Sequence, residues 1–391
     1  MTGIKSKKYY AALFFFFSLL LSLSYFTSSS FAETLADAIA QTPQGTEKGM
    51  IDPDAGPGYL GIPGAPAVNL LLAFLWAIWV GWIFSTVGAF GGIMAGVGHI
   101  TIFGLGDYAK SFKNSSPPLN KLVTDSIRVS NQWMVSLSAL ISSINYYKMG
   151  RLVLPLGLAL ALGSVTGSII IPIITAGKIK LSDYIGYFGL CVFVIGAFLF
   201  YETTGRGQSK KKSARAAAKA FEQAHIQLKE SASVDTTDHG VHILSWGLSK
   251  VTFTFYGVEF SFKPVLPVMG GFFIAALASF LGIGGGFLFV PFLTSIAGLP
   301  MFLVAGTSAL TVLVGMMVSI SSYMVIKDVA VYWPLIGIEL FGIFIGSMIG
   351  PRTSKYIPDI WLKRLFVVLA IYVGIRYSST GFLGHSIVPP F

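Results

Sequence analysis

The chain has 391 residues, 54% of them hydrophobic and only 11% charged, with a mean hydropathy of +0.73. So apolar a composition excludes an ordinary soluble domain and defines a polytopic membrane protein. The formal charge of +10 lies mostly in polar loops, where membrane orientation accounts for it and nucleic-acid binding does not.

Lys5, Lys7 and Lys8 precede an apolar run over 11–26, and Ser30-Phe31-Ala32 precedes Glu33. Residues 1–32 therefore read as a secretory signal peptide, with an uncleaved anchor helix as the rival. Either reading places residues 33–67 outside, as an exported irregular segment broken by Pro43, Pro53, Pro57, Pro63 and Pro66. Spans are predicted at 68–87, 88–106, 124–147, 152–174 and 184–201, a first transmembrane repeat over 68–201. The single cysteine, Cys191, falls in the last and excludes an intrachain disulfide and a cysteine metal cluster.

Residues 202–263 open with Arg206, Lys210, Lys211, Lys212, Arg215 and Lys219, a cationic run that the positive-inside rule assigns to the cytoplasm. An alanine-rich stretch over 210–230 favours helix, and 251–255 and 258–262 alternate about Tyr256-Gly257 like a hairpin. The expectation is a small cytoplasmic linker lobe. A second transmembrane repeat over 264–378 follows, with spans at 264–281, 284–300, 302–326, 330–350 and 361–378, and a tail over 379–391 on the periplasmic side. Lys148, Arg151, Arg352, Lys355, Lys363 and Arg364 then lie inside, as the rule expects; Lys110, Lys113 and Lys121 lie outside, against it.

At a spacing of 179 residues Pro155 meets Pro334, Gly163 meets Gly342, Gly167 meets Gly346, Ser168 meets Ser347 and Pro172 meets Pro351. The agreement reads as a duplication. Upstream the register shifts, and Gly96 and Gly98 answer Gly282 and Gly284 at a spacing of 186. Five spans per unit make the second copy enter from the opposite face, so the fold expected is all-α with two inverted repeats. The paired glycines Gly163/Gly167 and Gly342/Gly346 read as helix-crossing positions.

The chemistry is sought at helix breaks. Gly282, Gly284, Gly285 and Gly286 interrupt an apolar stretch, and a helix starting near Phe287 would aim unpaired N–H groups at an anion. Thr307 and Ser308 would add hydroxyls and cap the helix after them, and Gly96 and Gly98 are the counterparts in the first half. Asp125 and Arg128 share a helix face; one reading has Arg128 bind an oxyanion while Asp125 holds it, beside Ser126, and the other has it snorkel to the interface. Glu339 lies in mid-span, where a charge is costly unless paired or protonated, which makes it a proton-coupling candidate. His99 titrates near neutrality or caps a glycine turn.

Gly282-Ile283-Gly284-Gly285-Gly286, Pro291 and Ala305-Gly306-Thr307-Ser308 resemble the TauE/SafE family of sulfite and organosulfonate exporters. The resemblance implies a bacterial inner-membrane carrier of small, often sulfur-containing anions. The first half departs from it, with His99-Ile100 following Gly98 and Thr124-Asp125-Ser126 in place of Gly306-Thr307-Ser308.

No His-Glu-x-x-His, Walker A lysine motif or Gly-x-Ser-x-Gly elbow is present, so no enzyme and no cofactor is expected. The partners expected are a small anion, the lipid bilayer and a coupling proton. A passive anion channel and a non-transporting scaffold or sensor are the alternatives.

Overall fold

A computed structural model describes residues 34–175, 185–204, 212–230, 240–281, 286–326, 329 and 331–388. The expected signal peptide, Gly282, Gly284 and Gly285, and the cations Arg206, Lys210 and Lys211 lie outside the described residues. In chain order the elements begin with α1 (Leu70–Val87), α2 (Gly91–Val97) continuing as a π-helical turn over Gly98–Ile102, α3 (Leu105–Ser111), α4 (Pro117–Lys148), α5 (Leu154–Thr175) and α6 (Ile185–Thr203). Next come α7 (Lys212–Glu230) and strands β1 (Val241–Trp246), β2 (Val251–Phe255) and β3 (Val258–Phe262). The rest is α8 (Val265–Leu281), α9 (Gly286–Pro291) with a π turn over Phe292–Ile296, α10 (Met301–Ser321) with a π turn over Ser322–Ile326, α11 (Trp333–Ser354) and α12 (Asp359–Leu383).

Four of the described helices, Leu70–Val87, Met301–Val325, Trp333–Ser354 and Asp359–Leu383, are long and apolar enough to cross a membrane. This is a helical integral membrane protein. The 32 residues of α4 run for about 48 Å, beyond the ~30 Å of a hydrocarbon core. Its first half is nevertheless polar, because Asn120, Thr124, Arg128, Asn131 and Gln132 face an internal cavity.

Glycines set the closest helix crossings. A Cβ on Gly342 would press on the Phe74 carbonyl and the Ile78 amide of α1, and one on Gly346 would press on the Ile78 carbonyl and the Trp82 amide. Gly163 and Gly167 meet Val268, Phe272 and Ala276 of α8 through the same backbone atoms. Small residues let backbones approach this far, and α1 runs parallel to α11 as α5 runs parallel to α8. The matched contacts Phe74 with Val268 and Ile78 with Phe272 stand 194 residues apart, whereas the spacing of 186 read for Gly96 and Gly98 involves Gly282 and Gly284, outside the described residues.

By contrast, α6 and α12 cross antiparallel. Gly186 meets Phe382, Gly189 meets Ser378, Gly374 meets Phe193 and Gly196 meets Ala370. α4 and α10 also run antiparallel: the Trp133 indole donates to Met324, Ser136 to Met317, and Gly306 lies on Tyr146.

Residues 34–66 hold a short helix over 34–40, which the expected irregular segment lacked, and a 3-10 turn over Tyr59–Gly61; beyond these they are irregular, as the prolines dictate, yet packed. Tyr59 and Ile62 are fully buried, the Tyr59 hydroxyl lies 3.1 Å from Ser126 Oγ, and the Ser115 hydroxyl donates to the Gly49 carbonyl at 2.7 Å. They cover the end of the molecule at which α4 begins. Burial pushes the Tyr59 hydroxyl up to about 12.

At the opposite end β1, β2 and β3 form an antiparallel sheet in that order. The alternation over 251–255 and 258–262 buries Phe253, Phe255 and Phe260 toward α7, where Phe221 stacks on Phe255 and reaches Phe302 of α10 at 4.2 Å. Arg151 is buried in this junction. Its guanidinium lies over the rings of Tyr146, Phe221 and Phe302 at 4.8, 5.1 and 5.2 Å and donates to the carbonyl of Phe302 and the hydroxyl of Ser354. Planar stacking of this kind is a property of arginine that lysine lacks.

Candidate functional site: a cation-lined cavity

Asn120, Thr124, Ile127, Arg128, Asn131 and Val135 recur on α4 at intervals of three and four, so they share one face. That face, with α2, α3, α9, α10 and α12, borders a partly open cavity of about 550 Å³. Lys110, Lys113 and Asn120 lie at the end covered by residues 34–66; Phe84, Phe90, Gly91, Gly92, Phe287 and Val312 lie at the other. Arg128, Asn131, Gln132 and Arg376 stand between. Four cations line the cavity, and none of its described lining residues is Asp or Glu. Two of the three lysines that ran against the positive-inside rule, Lys110 and Lys113, belong to this lining; Lys121 does not.

The two central guanidinium groups are held by side-chain partners. Arg128 donates through one terminal nitrogen to Asp125 Oδ1 at 2.9 Å and to the Tyr323 hydroxyl at 2.8 Å, and among the described residues its other terminal nitrogen has no side-chain partner and is available to a ligand. Arg376 donates to Thr101 Oγ1 at 2.9 Å. Gln132 Oε1 is buried with no partner among the described residues.

At this other end α2 starts at Gly91 with no side-chain cap, presenting first-turn N–H groups that no helix carbonyl can take, and Gly286, the first described residue of α9, lies on the same lining. Phe90 precedes α2 with φ 67°, an uncommon conformation for a bulky residue. Its ring lies 6.2 Å from Phe287 and 4.8 Å from Phe366, closing this end.

Behind Asn131 lies a fully buried pair. His99 Nδ1 is 2.6 Å from Asn131 Oδ1 and His99 Nε2 is 3.1 Å from Glu339 Oε2. With Nδ1 donating to the amide oxygen, Nε2 and the carboxyl share one proton. Glu339 Oε1 has no partner among the described residues. Glu339 is the seventh residue of α11, nearer that helix's start than the span over 330–350 implied.

Several sequence expectations need correction. Thr307 and Ser308 lie inside α10 and cap nothing: Thr307 donates to Leu303 O and accepts from Val153 N, and Ser308 donates to Gly88 O. The helix starts earlier, after Pro300, and Asp359 accepts from Met301 N at 2.6 Å. Both hydroxyls are thus used in holding α10 to the α1–α2 turn and the start of α5. Ser126 turns away from the cavity to Tyr59. Gly98 starts the π turn against the Trp76 indole and lies off the lining, whereas Gly96 and Gly286 are on it. His99 caps no glycine turn. Asp125 reaches the site only through Arg128. Sequence reading missed Asn131, Gln132 and Arg376; Arg376 is a cation deep in the apolar α12, the same signal that marked Glu339.

A membrane-embedded cavity lined by cations, with a buried proton-sharing pair behind it, belongs to the class of membrane transport proteins. The sequence model of the family described as "Sulfite exporter TauE/SafE" matches residues 72–377. The chain belongs to the TauE/SafE family. No curated protein and no solved structure matches it.

Proposed function

We propose that the protein is a secondary transporter of small sulfur-containing anions, exporting sulfite or an organosulfonate across a bacterial inner membrane by alternating access. The observation that carries this reading is the set Lys110, Lys113, Arg128 and Arg376 around one cavity with no carboxylate in its described lining. Such a field concentrates anions, and a guanidinium binds an oxyanion through a planar fork. The N-terminal amides at Gly91 add partial positive charge from the inner end.

Two oppositely oriented repeats, 68–201 and 264–378, follow if α6 with α12 and α4 with α10 are counterparts. Each pair runs antiparallel, as an axis in the membrane plane requires. The change from a spacing of 194 to one of 179 falls around α3 and the turn after it, so the first repeat has an insertion that contributes Lys110 and Lys113. The half-sites are therefore chemically unequal. Residues 33–67 then lie outside, the linker 202–263 in the cytoplasm, and the cavity opens outward.

Protons are the coupling ion in this account. Asn131 touches both the cavity and His99, so an anion beside Arg128 changes the field at the proton shared with Glu339. The contact of Phe90 with Phe287 and Phe366 favours a carrier over an open channel.

The test is flux of radiolabelled sulfite and sulfonates in proteoliposomes, with and without a pH gradient. Saturable movement that responds to the gradient is expected; no saturable movement of any anion would defeat the proposal.

A further inference from the structure

Among the described residues, the linker sheet leaves one apolar edge uncovered. In β1, Leu244 and Trp246 are 60% and 62% exposed, and Leu248, in the β1–β2 turn, is 95% exposed. An exposed apolar edge strand is a liability for association unless something covers it.

The register shows which way this edge faces. Trp246 pairs with Val251 and Val251 with Phe262; Ile243 pairs with Phe253 and Phe253 with Phe260. The irregularity between Ile243 and Ser245 inserts Leu244 as an extra residue, which brings Ile243 and Trp246 onto one face. It is the face through which Phe253 and Phe260 join the core of the helical body. The row Phe262, Val251, Trp246 thus starts three residues before α8 and ends about 10 Å to its side, two strand spacings away. Val265, Leu266, Met269 and Phe273 of α8 are themselves exposed large apolar side chains, the belt that hydrocarbon covers in a membrane helix. Lys250 and Lys263, both exposed, flank the row, while Glu259 lies on the opposite face.

We infer that the β1–β2 turn is a membrane-interface anchor: Trp246 and Leu248 insert between headgroup and acyl chain beside α8, and Lys250 and Lys263 pair with anionic lipid headgroups. Apolar continuity with α8, a tryptophan at the level where the chain enters the bilayer, and flanking lysines are the chemistry of an interfacial site. The anchor does not depend on what the cavity carries.

The experiment uses the full chain with Cys191→Ser, Leu248→Cys labelled with bimane, and nanodiscs of phosphatidylcholine and phosphatidylglycerol. A lipid bearing a doxyl group near the head of its acyl chain is the quencher. Interfacial insertion predicts that the label loses about half its emission, while the same label at Glu259→Cys is barely affected. Equal quenching at the two positions overturns the inference. So does a label at 248 that escapes the lipid quencher while its unlabelled thiol cross-links two copies, which assigns the patch to self-association.

Discussion

His99 Nε2 and Glu339 Oε2 stand 3.1 Å apart, both side chains wholly buried, although 240 residues separate them in the chain. Asn131 holds the other imidazole nitrogen, so the pair has one proton to share and one neighbour through which the cavity can influence it. Glu339→Gln keeps the shape and removes the acid. It is expected to leave anion exchange intact while abolishing the response to a pH gradient. Gradient-driven accumulation that survives in Glu339→Gln would remove the pair from the coupling mechanism. Glu339→Ala should also destabilise the fold by about 1 to 3 kcal/mol, because the buried His99 loses its partner.

Arg376 faces the cavity opposite the α4 stripe, held by Thr101. A hydrogen bond between charged partners contributes about 1.5 to 3 kcal/mol, so Arg376→Gln should raise KM for the anion about tenfold or more with a smaller effect on kcat. Arg128→Gln leaves Asp125 unpaired and is best measured beside the double variant Asp125→Asn, Arg128→Gln. Initial-rate flux against anion concentration provides the check; an unchanged KM in the Arg376 variant contradicts the site.

What the sequence made legible depended on how local the signal was. Composition and the glycine motif led to a TauE/SafE membrane protein, and the i, i+3 relation of Asp125 and Arg128 led to an ion pair that the geometry contains. Glu339 stood out as a charge in an apolar span. Arg376 carried the same signal and was passed over beside it. Thr307 and Ser308 were misread because Pro300, seven residues before Thr307, starts their helix, and a helix start depends on which chain segment supplies the capping oxygen. That oxygen belongs to Asp359, which no local pattern connects with Met301. Lys110 and Lys113 looked like misplaced loop charges until the fold of α3 brought them to the cavity. The site is built from five parts of the chain, and sequence spacing does not encode how helices from two halves meet.

Phe90 combines a strained backbone, φ 67°, with a ring that closes the inner end of the cavity. Such a conformation costs of the order of 1 to 3 kcal/mol and persists where the surroundings impose it. Phe90→Ala is expected to let anions leak without saturation and without response to the pH gradient. Passive efflux from loaded liposomes measures this; efflux no faster than wild type would show that the ring is not the barrier.

Tyr59 gives an alkaline signature. Its hydroxyl titrates near 12 in the fold against an ordinary value of 10, so between those pH values the unfolded chain has lost a proton the folded protein keeps. Stability is therefore full below pH 10 and falls as pH rises toward 12, by about 2 to 3 kcal/mol from this group. Tyr59→Phe removes that loss while costing about 1 kcal/mol at neutral pH through the bond with Ser126. Thermal unfolding across this range should show a shallower alkaline decline in the variant; parallel curves would contradict the assignment.

The central claim is that a negative solute is held within the cavity between Arg128, Asn131 and Arg376. Selenite has the charge and shape of sulfite and scatters anomalously, so an anomalous difference map from crystals equilibrated with it reads the location directly. The account predicts a peak within hydrogen-bonding distance of Arg128 and Arg376 that disappears in Arg376→Gln. A cavity without a peak at saturating selenite, or a peak that ignores the substitution, would contradict it.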